Sequence, residues 1–152
     1  MTILHYSIVE PSTAMEWDAY YELRFEVLRK PWGQSIDSTK DDQEENSMHL
    51  LMLDEMGQAA GAGRLQFNSP VQGQIRSMAV RSDLQGNGLG SKMLERLEHE
   101  ALSKGYSEII LDARFNAVRF YESNGYSVTG PSYNLWGMIP HFAMRKSIVA
   151  NS

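Results

Sequence analysis

No cysteine occurs anywhere in the 152 residues. Disulfides, thiolate metal sites and a cysteine acyl-enzyme are therefore excluded. Positive charge is scarce too, with 14 Lys and Arg against 19 Asp and Glu and a formal net charge of -5. Such a chain has no broad, sequence-independent attraction for phosphates, so no nucleic-acid partner is expected, although a local basic patch stays open. Apolar runs fall short of the roughly 20 residues that a membrane-spanning helix needs, so no membrane partner is expected either. Met1 to Glu10 lacks the basic region, apolar stretch and small-residue cleavage site of a secretory leader, which makes a cytoplasmic protein the default. His5, His49 and His99 have no ligand spacing with one another or with nearby carboxylates, and no metal is expected.

What is present fits one compact domain spanning residues 1–152, since 42% of the chain is hydrophobic and that length supports one core. Residues 2–9 read as an opening strand, followed by Pro11-Ser12-Thr13 as turn and helix cap. Trp17, Tyr20, Tyr21, Leu23, Phe25, Val27 and Leu28 follow with the spacing of a helix with one broad buried face, stopped by Pro31 and Gly33. Asp37 to Asn46 is acidic without apolar periodicity and reads as a loop. Three strands, His49 to Leu53, Ala60 to Phe67 and Gln74 to Val80, are expected as an antiparallel meander. Leu89, Met93, Leu94, Leu97 and Ala101 then recur at helical spacing. Ile109-Ile110-Leu111, an apolar run without alternation, suits a strand covered on both faces and reached by a right-handed crossover. A short helix from Asn116 to Ser123 and two strands, near Tyr126 to Thr129 and Gly137 to Met144, complete a mixed sheet with helices on both faces.

Gln85-Gly86-Asn87-Gly88-Leu89-Gly90 lies between the strand expected to end at Val80 and the helix expected from Leu89. Glycines there let the backbone turn tightly, so several amide N–H groups can converge on an anion at the positive end of the helix. A phosphate or pyrophosphate is the fitting ligand. A nucleoside-triphosphate loop would need Gly-Lys-Ser/Thr, whereas the chain reads Gly90-Ser91-Lys92. A dinucleotide fingerprint would need a glycine where Ser91 stands and matches weakly. A glycine-rich turn with no ligand is the remaining alternative.

The loop also resembles the Gln/Arg-x-x-Gly-x-Gly/Ala motif of the GNAT acyltransferase superfamily. Met78-Ala79-Val80 resembles the strand before that motif, and Leu89 to Leu102 the helix after it. Downstream, the stretch from Asn116 through Tyr121 to Gly125-Tyr126 resembles the family's Asn-x-x-x-x-x-Tyr-x-x-x-Gly-Phe pattern, with tyrosine in place of the last phenylalanine. The resemblance implies an α/β (α+β) GNAT fold, with a mixed sheet of roughly six to seven strands and about four flanking helices. It further implies an N-acetyltransferase that moves an acetyl group from acetyl-coenzyme A to a primary amine by direct attack in a ternary complex. By that resemblance Gln85, Gly86, Asn87, Gly88, Leu89, Gly90 and Ser91 hold the donor's pyrophosphate. Met78, Ala79 and Val80 border the acyl group, the Val80 amide being the carbonyl donor. Asn116 contacts the pantetheine, and Tyr121 stands near the sulfur as general acid.

Other readings of these residues remain. Tyr121 taken alone is an aromatic packed under its helix. His141 is the candidate general base because imidazole titrates near neutral pH; otherwise it is a partly buried histidine bonded to a carbonyl, on an edge strand marked by Pro140. The acidic stretch from Asp37 to Glu45 and Arg24 would border the acceptor site in the resemblance, where acidic groups could draw in a cationic amine; the alternative is a solvated loop. Because the motifs handle only the donor, small amines, amino sugars, antibiotics and protein amino groups all remain compatible acceptors. A homodimer is compatible as well. A domain that binds acyl-coenzyme A as a sensor, without turnover, is the reading from a different class.

Overall fold

A computed structural model of the protein describes residues 5–149. Strand β1 (Ser7–Val9) leads into helix α1 (Ala14–Leu28). That helix starts where Thr13 and Glu16 form a reciprocal capping box: the Glu16 amide donates to Thr13 Oγ1 at 3.1 Å and the Thr13 amide to Glu16 Oε1 at 3.2 Å. Two of the helix's orphan donors are satisfied in this way. Past Leu28 the chain makes only two single 3-10 turns, Lys30–Trp32 and Ile36–Thr39. Among the described residues three α-helices result rather than about four, because Pro31 and the left-handed Gly33 (φ 69°) break any continuation.

Strands β2 (Ser47–Leu53), β3 (Ala59–Phe67) and β4 (Gln72–Val80) form the expected antiparallel meander. Helix α2 (Leu89–Ser103) crosses over to β5 (Glu108–Arg114), which pairs parallel with β4. The short helix α3 (Val118–Ser123) and strands β6 (Ser127–Leu135) and β7 (Ile139–Ser147) follow, giving a seven-stranded sheet in the order β1-β2-β3-β4-β5-β7-β6.

The helices cover opposite faces, as β2 makes plain. Leu50 and Met52 join the core beneath α2, while Leu51, between them, joins Tyr20 and Leu23 of α1. The five periodic residues of α2 (Leu89, Met93, Leu94, Leu97 and Ala101) are the ones it buries. Each large side chain among them contributes about 1.5–3 kcal/mol. Gly63 lets this helix come close, since a Cβ there would sit 2.9 Å from Leu97 Cδ1. Strand β5 is longer than its apolar run and alternates: Ile109, Leu111 and Ala113 are buried, and the residues between them half-buried.

Two irregularities shape the functional end of the sheet. The register between β3 and β4 shifts between Ala62 and Arg64, and Ser77 takes a left-handed φ of 54°, a bulge that re-aims the end of β4. Pairing of β4 with β5 also stops at Ile75 and Leu111, although both strands run on to Val80 and Arg114. The two strand ends therefore part and leave a gap.

Candidate active site

A cavity of about 860 Å³ opens in that gap, within the range of small-molecule sites. Of the residues assigned to the donor or as candidate base, all but Asn87 line it. Asn87 instead donates its Nδ2–H to Leu84 O at 3.0 Å and holds the loop in shape. The backbone of β4 turns one amide into the gap. Arg81 N donates to Ala60 O at 2.9 Å, so the pair Gly61 and Val80 occupies the alternate position of the ladder, with backbone groups directed away from each other. The Val80 N–H thus points to the side that β5 has left.

Gly86 (φ 85°) and Gly88 (φ 80°) carry the chain through left-handed turns, and a Cβ at either would meet nothing within 4 Å. Gly88 is the N-cap of α2 and provides no side-chain cap, so the amides of its first turn are left for a ligand. An anion there also meets the positive end of a 15-residue helix. Gly90 has a different reason to be glycine: its Cβ would come within 3.0 Å of Phe120 Cζ. It joins α2 to α3 rather than making room for a ligand.

Tyr121 also lines the cavity, with its ring packed edge-on against Phe120 and Tyr126. Among the described residues its hydroxyl has no hydrogen-bond partner, and burial pushes its pKa up to about 12. The group stays protonated near neutral pH, as a donor to a departing thiolate must. His141 is 5% exposed, stacks on Tyr133 at 4.3 Å between ring centres, and hydrogen-bonds Ile139 O through Nδ1 at 2.8 Å. A carbonyl can only accept, so Nδ1 carries the proton and Nε2 offers its lone pair. Burial lowers the pKa, with Arg114 and Arg29 adding to it against the Ile139 bond. The histidine is packed with its lone pair still available, but not on an edge: β7 lies between β5 and β6, and β6 is the edge strand.

Residues 21–148 match the acetyltransferase (GNAT) domain family. The chain belongs to the GNAT acetyltransferases. As a member of that family it is an acetyl-coenzyme A-dependent N-acetyltransferase. It is 32% identical over 129 residues to the uncharacterized N-acetyltransferase YjcF of Bacillus subtilis, covering 85% of this chain and 90% of that one. In fold it resembles an aminoglycoside 6'-N-acetyltransferase solved with coenzyme A (TM-score 0.80, 17% identity, 96% and 99% of the two chains covered). It also resembles the ribosomal-protein-S18-alanine N-acetyltransferase of Escherichia coli (TM-score 0.78, 22% identity, 97% of each chain).

The acidic stretch of this GNAT domain divides: Asp37, Asp42 and Glu45 are exposed, as in a solvated loop, whereas Asp41 and Glu44 belong to an ion network. Glu44 accepts hydrogen bonds from Arg24 Nη1 at 2.7 Å, from Tyr21 OH at 3.0 Å and from Arg64 Nη1. Asp41 takes both Nη groups of Arg64 at 2.9 Å. Burial works to raise the Asp41 pKa, but the Arg64 bonds and the Gln43 amide prevail and hold it at about 2. Arg24 and Arg64 are 1% and 0% exposed, and buried guanidiniums require such partners. The motifs also missed Arg29, Arg76, Arg114, Asp112 and Tyr133, which line the same cavity and come from four separate elements with no common spacing.

Proposed function

We propose that acetyl-coenzyme A lies along the cavity, with its pyrophosphate on the open first turn of α2 and its thioester beside Val80. The acetyl group then passes to a primary amine by direct attack within a ternary complex. The parting of β4 and β5 beyond Ile75 and Leu111 carries this reading. It joins one continuous space from a phosphate cradle to an unclaimed amide, a protonated tyrosine and an imidazole with a free lone pair.

The residues divide the chemistry among them. The Val80 N–H polarises the thioester oxygen and holds the oxyanion of the tetrahedral intermediate. The amine nitrogen bonds to the carbonyl carbon and gives up a proton to His141 Nε2. As the C–S bond breaks, Tyr121 donates to the sulfur. With a hydroxyl pKa of about 12 against roughly 8.5 for a free thiol, Tyr121 acts chiefly as a hydrogen-bond donor. No covalent intermediate on the protein is needed. Asn116, in the turn before α3, lines the cavity and would contact the pantetheine arm.

Donor-dependent thiol release over a panel of amines, measured beside acetyl-coenzyme A binding, tests the proposal. Release that requires an amine supports transfer. Tight binding with no release on any amine would replace the enzyme with a sensor.

A further inference from the structure

Three guanidinium groups at the acceptor end take no part in the donor chemistry. Arg29 comes from the end of α1, Arg76 from β4 and Arg114 from β5, and all three line the cavity with Tyr133 and His141. Each is half-buried. Among the described residues none meets a carboxylate: Arg29 Nε donates to Ser38 O at 3.1 Å, Arg114 Nη2 donates to Leu28 O at 2.9 Å, and Arg76 has no side-chain hydrogen bond. The Leu28 bond sets Arg114 next to Arg29, and the three cations all act on Tyr133. Burial, together with neighbouring arginines, lowers the pKa of Arg29 and Arg114.

The cavity's aspartates offset only part of this charge, and neither pairs with any of the three arginines. Asp41 is taken by Arg64, and Asp112 is bonded to neutral groups, Ser132 Oγ at 2.7 Å and Gln74 Nε2 at 3.3 Å. In a chain of net charge -5, three unmatched, half-buried arginines form a local feature. Trp136 reinforces it. A bulky residue at φ 53° is strained, yet Trp136 keeps that conformation with its indole ring 5.3 Å from the Arg29 guanidinium.

Position separates the cluster from the phosphate cradle. Arg76 stands four residues before Val80 on β4, but the bulge at Ser77 sets the two opposite Arg64 and Gly61, about 10 Å apart along the sheet at roughly 3.3 Å per residue, whereas the glycine loop comes after Val80. The cluster therefore lies beyond the thioester, where the acceptor enters. We propose, resting on the acetyl-transfer reading, that the acceptor is an amine bearing an anionic group, a carboxylate or a phosphate, which Arg29, Arg76 and Arg114 bind while its amino group faces His141. Guanidinium forks match the geometry of both anions, and a polycationic amine is repelled.

The test pairs turnover with binding. Thiol release is measured with an amino acid and its carboxamide, and with a hexosamine and its phosphate ester, for the wild type, Arg76→Gln and Arg114→Gln. Calorimetry follows the N-acetylated carboxylate and phosphate products binding to the coenzyme A complex of each protein. The expected result is that one charged member, whose identity separates carboxylate from phosphate, exceeds its neutral mate by about tenfold or more in kcat/KM. Its product binds, and both properties are lost in the variants while coenzyme A affinity holds. Neutral members used equally well, or product binding unchanged in Arg76→Gln, overturns the anion site and leaves acetyl transfer standing. Arginine-dependent product binding without turnover of any amine upholds the site and counts against transfer. Neither binding nor turnover of any anionic member overturns the site.

Discussion

Glu44→Ala removes the carboxylate that joins two buried guanidiniums, and its cost separates a structural ion network from a solvated loop. Glu44 accepts from Arg24 at 2.7 and 3.1 Å, from Arg64 and from Tyr21, all of which lose a partner at once. Breaking a buried pair from one side costs about 3–5 kcal/mol, because the remaining charge is stranded. Arg64 keeps both oxygens of Asp41, and Arg24 keeps the Thr39 carbonyl at 2.6 Å, so the lower end, about 3 kcal/mol, is expected. For a domain of this size each kcal/mol moves the melting temperature by about 2–4 °C, which gives a fall of about 6–12 °C. Urea and thermal unfolding followed by circular dichroism measure it, with Glu45→Ala as the control. Glu45 is exposed, and its loss should stay within about 0.5 kcal/mol. A Glu44→Ala cost under about 1 kcal/mol, the scale of a surface pair, would refute the reasoning.

Tyr121→Phe keeps the packed ring and removes only the hydroxyl that hydrogen-bonds the departing sulfur, so turnover should fall by about 100-fold, with acetyl-coenzyme A affinity unchanged. Wild-type turnover in that variant would remove Tyr121 from the chemistry. Burial lowers the His141 pKa, so its base form persists below the ordinary value of roughly 6.5. Wild-type activity should hold to a correspondingly lower pH and then fall, and His141→Ala should lose turnover together with that acid limb; superimposable profiles would leave His141 to packing alone. Gly88→Val puts a β-branched residue at φ 80° in open space, so the loop must leave its left-handed turn and carry the α2 amides with it. Coenzyme A affinity should drop at least about tenfold in a protein that still folds, and equal affinity by calorimetry would contradict the cradle.

What could be read from the sequence was local or periodic. The five buried residues of α2, the Thr13 cap and the glycine loop each follow from residues within a few turns of one another. Strand β6 was expected only near Tyr126 to Thr129. It continues to Leu135 with shifted register, since it is the edge strand of the sheet and a proline can turn its missing donor outward. The network around Glu44 was hidden because Arg24 and Arg64 lie 20 residues away on either side, and charge patterning along the chain does not report burial. The arginine cluster was hidden for the same reason: tertiary structure alone brings α1, β4 and β5 to one cavity. The parting of β4 and β5 has no sequence signature, so the motifs gave residues that line the cavity but not the space they enclose.

Transfer itself is tested most directly by following a labelled acetyl group. Acetyl-coenzyme A carrying a heavy-isotope acetyl group is incubated with the protein and an amine it uses, and mass spectrometry reads amine, protein and released thiol together. Direct attack in a ternary complex predicts label on the amine in equal amount to free thiol, with none on the protein at any time. Label on the protein, or thiol released without labelled amine, would contradict it.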